Sequence, residues 1–520
     1  MTTPSIARAF VIPAIICGVA LSVAVAASTI PVPPRAHPLS AGSHSTARQR
    51  PAQSGPLTAY GGGAALPAAA FVGISQATTA NPETSPDSGS IFGYFETVNS
   101  STFAGFQYCQ NSASFGKKVY EGTVAASGTC AALGLSPVGF GIPASVQPAA
   151  DFVALDYLGG KDYSTYLTDA GTSGNPIFGR GEPVQIPYIF GSVALFFNNS
   201  DVASSESVSL SSSTLCQIAD GQITDWDQVP VNPAQPAGAK FPEKPLLFVY
   251  RSDSSGTTTA FSNHLSVAKV CTGTGQTFGL NNVYDPGNTV VSPAPAFGAL
   301  PSPLPAGASN ANFLGANGNS DLITCILGTA PACTSPGSTT LVTGGDGAIG
   351  YVESAYALAF VSPPSVNFAD LYVVKKKVGT NYSPIKDLPV AVRTVRGAFA
   401  TDLVLNSFVA NGRPNPVLTA PPVAPPTAGC MLATNPNGYD NPSAGYPIVA
   451  IASLAFSSAG NGSKATGLQK LAKFAQSSAN YGPGRITDVD RYTAEFGSTG
   501  YSQPNFTTKT IAKAADCIGT

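Results

Sequence analysis

The sequence predicts an α/β protein whose body is large enough for two domains. Three observations lead there. Apolar runs of strand length, such as Asp151-Phe152-Val153-Ala154-Leu155-Asp156 and Leu246 to Tyr250, alternate with segments of helical spacing. Charged residues are only 10% of the chain, whereas its 54 glycines and 45 prolines suit long polar connections on a packed frame. One stretch, Tyr250-Arg251-Ser252-Asp253-Ser254-Ser255-Gly256-Thr257-Thr258-Thr259, sets a hydroxylic cluster between a strand and a helix.

In chain order, residues 1–27 read as a secretory signal. Arg8 precedes an apolar stretch from Ala9 to Ala27, and Ala24-Val25-Ala26 supplies small residues for cleavage. Cys17 sits inside that stretch in a poor context for lipid attachment. Residues 28–57, rich in Pro, Ala and Ser, read as a disordered spacer. The first 57 residues hold four arginines and no acids, so the body carries 22 basic against 28 acidic side chains. That balance argues against nucleic acid as a partner. An anion bound here is held by local donors, not by a global positive field.

The folded part begins at Tyr60-Gly61-Gly62-Gly63-Ala64-Ala65-Leu66-Pro67, a glycine run that predicts a tight strand-to-helix turn. Phe103 to Tyr108 reads as a strand, Gln110 to Lys117 as a polar turn, and Asp151 to Asp156 as a buried strand ending in a carboxylate. Gln185 to Phe190 and Ser192 to Phe197 are extended and apolar, suited to crossing between lobes. Leu210 to Ala219 reads as a helix closed by Gly221-Gln222-Ile223-Thr224-Asp225-Trp226. Residues 273–340 read as loops, Gly347 to Glu353 as a strand approached through glycines, and Pro414 to Gly429 as an inserted proline-rich loop. Gly467 to Gln476 and Thr507 to Ala515 read as helices.

Outside Cys17 the cysteines number eight, an even count that suits disulfides in an exported chain. Sequence proximity pairs 109–130, 216–271 and 325–333, leaving 430–517. No CxxC pair suggests zinc. His37 and His44 fall in the spacer, leaving His264 alone in the body. A Ser-His-Asp triad or a multi-histidine metal centre is hard to assemble from that. No catalytic residue, metal ligand or cofactor is assigned.

The turn at 250–259 carries the chemistry. A helix start presents unpaired N–H groups and partial positive charge. Ser255, Gly256 and Thr257 leave room for a ligand and add donors, and Arg251 adds a planar cationic fork. The set suits a small tetrahedral oxyanion. A capped helix beside an Arg–Asp surface pair is the plainer alternative.

Four motifs recur in the order found in a known family: Gly61 to Pro67, Asp151 to Asp156, Arg251 to Thr257 and Gly347 to Glu353. On these the chain resembles the periplasmic phosphate-binding proteins of ABC importers, and among them the secreted DING-like branch. The resemblance implies a two-lobed type II periplasmic binding protein fold, with 58–188 and 353–520 as lobe 1 and 189–352 as lobe 2. The crossing strands would fall near Pro187–Phe197 and Tyr351–Glu353, with the ligand held at helix N-termini between the lobes. It also implies the contacts. Arg251 pairs with the anion and Asp253 orients Arg251. Ser255, Gly256 and Thr257 donate at the helix start, and Asp156 accepts a hydrogen bond from phosphate. A carboxylate tolerates an anion only when a proton lies between them, so sulfate would be refused.

The chain departs from the pattern at Ala65 and Ala113, where the family has hydroxyl residues. The amides of Leu66 and Ser114 would donate instead, with Ala65 and Leu66 flanking the ligand. The expected function is therefore non-enzymatic capture of inorganic phosphate by a monomer in the periplasm or outside the cell, with an ABC permease of the inner membrane as a possible partner. A DING-like phosphatase and a secreted surface or matrix protein on a degenerate site are the alternatives.

Overall fold

The computed structural model describes residues 57–79, 83–121 and 150–267 (without 157, 159, 176, 203–207, 232–239 and 254), then 310–360, 368–372, 405–406, 430–434, 448–487 (without 483), 501–502 and 508–520. The expected leader and nearly all of the spacer lie outside these residues, as do Cys130, Cys271 and the 414–429 loop. Among the described residues no helix is long and apolar enough to cross a membrane.

Parallel strands with helical crossovers build the first half of the sheet. β1 (Leu57–Ala64) lies parallel to β2 (Phe103–Asn111) on one side and to β3 (Phe152–Leu155) on the other. Between β1 and β2 run α1 (Ala68–Val72), α2 (Ile74–Thr79) and α3 (Ile91–Val98). Between β2 and β3 lies α4 (Ala113–Tyr120). Phe71, Phe92, Phe106, Tyr108 and Phe152 fill this half with stacked and edge-on rings. Gly61 is obligatory in that core, because a Cβ there would stand 2.2 Å from the Phe152 ring.

After α5 (Gly160–Gly171) comes β4 (Pro183–Asn198), a 16-residue strand buried at all but its last position. Such a strand reads as an unbroken apolar run because both of its faces are covered. Its first part, 183–192, pairs antiparallel with a later strand, 449–457; its second part, 193–198, pairs with 348–353. One strand thus serves two half-sheets, at the place where the sequence predicts a crossing.

The second half follows from β5 (Ser209–Ser211), α6 (Ser212–Ala219), β6 (Leu247–Arg251), α7 (Gly256–Val267), β7 (Phe313–Ala316), α8 (Gly318–Leu327), β8 (Cys333–Thr334), β9 (Leu341–Val342) and β10 (Ala348–Glu353). β6 lies parallel to β10 and β7. Beyond α9 (Ser354–Phe360), β11 (Phe368–Tyr372) pairs with β4 at Phe196 and with β5, so the chain stays with this half past residue 353. β12 (Leu405–Asn406) and β13 (Ala433–Thr434) form a separate pair. β14 (Val449–Ser457), α10 (Ala465–Phe474), β15 (Tyr501–Ser502) and α11 (Thr508–Ala515) complete the first half.

Three expectations need correction. The 110–117 segment is not a turn: Ser112 caps α4 by accepting from the Phe115 N–H at 3.1 Å, and the helix runs from Ala113. Helix α6 begins at Ser212, because Leu210 belongs to β5 and Ser211 is the cap. The 273–340 region contains β7 and α8; its glycines and asparagines mark the start of a helix. Cys325–Cys333 and Cys430–Cys517 are bonded as expected.

Candidate functional site

Ligands of parallel α/β sheets sit beyond the carboxyl ends of the strands, where the following helices begin. The predicted residues occupy such positions: Ala65 and Leu66 follow β1, Asp156 follows β3, and Ser255 follows β6. A fourth such junction, Asn317 to Asn319, follows β7.

Arg251 ends β6 with only 2% of its surface exposed. Its Nε and Nη2 donate to the two oxygens of Asp253, at 2.6 and 2.5 Å, in a bidentate pair. Nη1 donates to Asn319 Oδ1 at 2.7 Å. Asp253 also accepts from the Gly318 N–H at 3.1 Å, at the start of α8. Burial opposes the arginine charge, but Asp253, with smaller contributions from Tyr351 and Glu353, outweighs it and raises the pKa above its ordinary value. Three of the five guanidinium N–H groups are taken by these partners among the described residues.

The network continues to Glu353, which is fully buried at the end of β10 and accepts from Asn319 Nδ2 at 3.0 Å. Tyr501 joins Glu353 Oε1 to the Leu66 carbonyl, 2.5 Å from its hydroxyl. A phenol has one proton to give. With that proton on Leu66, Glu353 must hold its own proton and donate it to Tyr501. Burial pushes the Glu353 carboxyl well above the usual range, in agreement with a neutral acid. Leu66, Tyr501, Glu353, Asn319, Arg251 and Asp253 therefore form one continuous chain of contacts.

Asp156 anchors a second group. Lys117, a buried lysine of α4, reaches its Oδ1 at 2.8 Å. Thr259 Oγ1 donates to its Oδ2 at 3.3 Å, from the first turn of α7. A Cβ placed on Gly256 would lie 3.6 Å from that of Asp156. The Asp156 carboxylate and the start of α7 are thus adjacent, although they belong to different half-sheets. Ser255 caps α7, its Oγ accepting from the Thr257 N–H at 3.1 Å. That much of the plainer alternative holds. Thr257 is buried. Thr258 pairs with the Tyr351 hydroxyl at 2.8 Å, and the same hydroxyl accepts from the Arg251 N–H at 3.2 Å.

The remaining predicted positions lie close by in the chain. Ala65 offers its carbonyl to the Ala68 N–H at 3.0 Å, closing the turn after β1. Ser114 stands in the first turn of α4, where main-chain N–H groups have no partner within the helix. Ala113 beside it is buried. His264 lies apart, its Nε2 3.0 Å from Ser212 Oγ.

Sequence reasoning missed Lys117, Thr259, Asn319 and Tyr501 as members of this site and did not single out Glu353. One signal was available. Phe313-Leu314-Gly315-Ala316-Asn317-Gly318-Asn319 repeats the apolar run, turn and polar helix start seen at 246–257. Lys117 carries no such signal, because its partner comes from another strand.

The fold and junctions define a class, and comparison with known proteins agrees with it. Residues 147–387 match the PBP superfamily domain. Among solved structures the chain is similar to a high-affinity periplasmic phosphate-binding protein, PfluDING, with a TM-score of 0.50 and 22% identity over 88% of this chain and 92% of that one. It is equally similar to an ancestral soluble variant of the Human Phosphate Binding Protein, with a TM-score of 0.50, 20% identity and the same coverage. At these identities the likeness is one of fold, and it is the two-lobed α/β fold the sequence implied. Curated relatives include alkaline phosphatase L of Pseudomonas aeruginosa strain UCBPP-PA14, 33% identical over 152 residues, 29% of this chain and 34% of that protein. Phosphate-binding protein PstS of Methanocaldococcus jannaschii is 30% identical over 131 residues, 22% of this chain and 33% of that protein. The chain thus matches about a third of the length of each of these curated relatives. The resemblance to phosphate-binding proteins is thus met by partial matches to curated relatives, by a likeness of fold, and by the PBP superfamily match over residues 147–387.

Proposed function

We propose that the protein captures inorganic phosphate reversibly between two lobes, outside the cytoplasm, and acts as the binding component of phosphate import or scavenging. One observation carries this reading: the first turn of α7, which follows Arg251 of β6 in the chain, lies against Asp156 at the end of β3. The ligand would receive the guanidinium of Arg251, the amide and hydroxyl groups of Ser255, Gly256 and Thr257, and main-chain donors of Leu66 and Ser114. Asp253 holds the arginine in place. The lobes would divide along β4, with the second lobe taking in β11 as well as residues 189–352, and would close on the anion by bending there. Such a protein needs no partner copy, and its docking partner in import would be a membrane permease.

Isothermal titration with phosphate tests the site. Arg251→Ala and Asp156→Ala are each expected to weaken binding at least about tenfold, the equivalent of one charge-assisted hydrogen bond. Wild-type affinity retained in both variants would falsify the assignment.

A second reading rests on the similarity to alkaline phosphatase L. The same donors would steady the charge that develops on a phosphoryl group during ester hydrolysis. Turnover of p-nitrophenyl phosphate by the purified protein, lost in Arg251→Ala, would establish it; no turnover above buffer would remove it.

A further inference from the structure

We infer that Lys117 abolishes the proton test at Asp156, so that this pocket accepts fully ionised tetrahedral dianions such as sulfate alongside phosphate. The inference rests on the phosphate-site reading above and concerns its selectivity.

An ionised carboxylate beside an anion-binding turn refuses any oxyanion that cannot place a proton between them. That refusal needs the carboxylate charge to be uncompensated. Here it is compensated by neighbouring side chains. Lys117 Nζ is 2.8 Å from Asp156 Oδ1, and both side chains are more than nine-tenths buried. In so dry a place the pair acts as one nearly neutral unit, and water screens it little. Thr259 Oγ1 occupies the other oxygen at 3.3 Å, and Ser453 Oγ fixes the Asp156 carbonyl at 3.2 Å. The carboxylate is therefore already supplied with donors and does not demand a proton from the ligand.

The lysine is held there by the fold. Ser112 fixes the start of α4 through the Phe115 N–H, and α4 packs on β1 and β3. Gly116, next to Lys117, lets the helix approach, since a Cβ there would come 2.9 Å from the Gly63 Cα. With the helix so close, the lysine side chain meets the carboxylate at the end of the neighbouring strand.

Titration of the intact protein with sodium phosphate and sodium sulfate at pH 7 decides the matter. The wild-type protein is expected to bind both, with dissociation constants within about tenfold of each other. Lys117→Met is expected to lose sulfate preferentially, raising the sulfate-to-phosphate ratio of dissociation constants at least about tenfold. Lys117→Arg is expected to keep the wild-type ratio, with circular dichroism confirming that both variants fold. Phosphate binding with sulfate refused by more than about a thousandfold in the wild type would overturn the inference while leaving the phosphate reading intact. Equal retention of both anions in Lys117→Met would overturn the role of the lysine. If the wild type binds neither anion, both readings fall. Because the first measurement uses the unaltered protein, the inference stays testable even if Lys117→Met does not fold.

Discussion

The two poles of the proposed site are built differently. At the arginine pole, Arg251, Asp253, Asn319 and Glu353 come from the ends of β6, α8 and β10 and satisfy one another through several short bonds, with Tyr501 closing the chain onto Leu66. At the aspartate pole, Asp156 meets Lys117 at 2.8 Å and Thr259 at the longer distance of 3.3 Å. A network in which each member fixes the next is preorganised: a ligand meets it without rearrangement. A carboxylate whose hydroxyl contact is this long can exchange that partner when a ligand arrives. In the proposed site, rigid recognition would fall to the arginine pole and adjustable recognition to the aspartate pole.

The largest expected effect breaks the arginine pole outright. Arg251→Ala leaves Asp253 and Asn319 without their buried partner. Besides weakening phosphate binding, it should lower unfolding stability by about 3–5 kcal/mol, measured by denaturant titration. Next, Asn319→Ala frees one guanidinium N–H and one oxygen of Glu353, and should cost about 1–3 kcal/mol in the same measurement. Thr259→Val removes a long bond at the aspartate pole and should cost less than about 1 kcal/mol. A loss from Thr259→Val as great as that from Asn319→Ala would erase the asymmetry.

The smallest effect sharpens the comparison by isolating pH dependence that arises outside both poles. Glu83 is fully buried near Tyr108 and Tyr356, and among the described residues its carboxyl oxygens have no hydrogen-bond partner of good geometry. Burial raises its pKa from 4.5 to about 8, against a smaller opposing pull from the backbone at Glu83 and Gln110. The folded state therefore holds this proton more tightly than the unfolded chain. Its contribution to stability is complete below pH 4.5 and is lost as the pH rises towards 8. Glu83→Gln should flatten the stability profile across that window, by at most about 1.4 kcal/mol per pH unit. An unchanged slope would assign the dependence to other carboxyls whose pKa burial also raises, among them Glu353, Glu96 and Asp321.

Much of the frame was legible because its signals are local. The run from Leu246 to Thr259 shows an apolar strand, a small-residue turn and a helix start within a few residues, and it folds that way. The buried strands within Asp151 to Asp156 and Gly347 to Glu353 announce themselves by the uncharged, largely apolar runs between their end residues. The α8 start was hidden because Asn317, Gly318 and Asn319 have the composition of a loop, whereas here they begin a helix behind a strand. Contacts made over long separations were not legible. Tyr501 reaches Glu353 across 148 residues, and nothing near either one forecasts the meeting. The burial of Lys117 was equally silent, since lysines on amphipathic helices ordinarily face water.

The continuity of β4 has a consequence for how the molecule can be assembled or dismantled. Because 183–192 and 193–198 are stretches of one strand, neither half can be cut away without baring backbone amides and carbonyls that now have neighbours. A fragment ending in mid-strand would carry a raw, adhesive border and would aggregate instead of folding alone. The two halves are obliged to form together, around a shared spine.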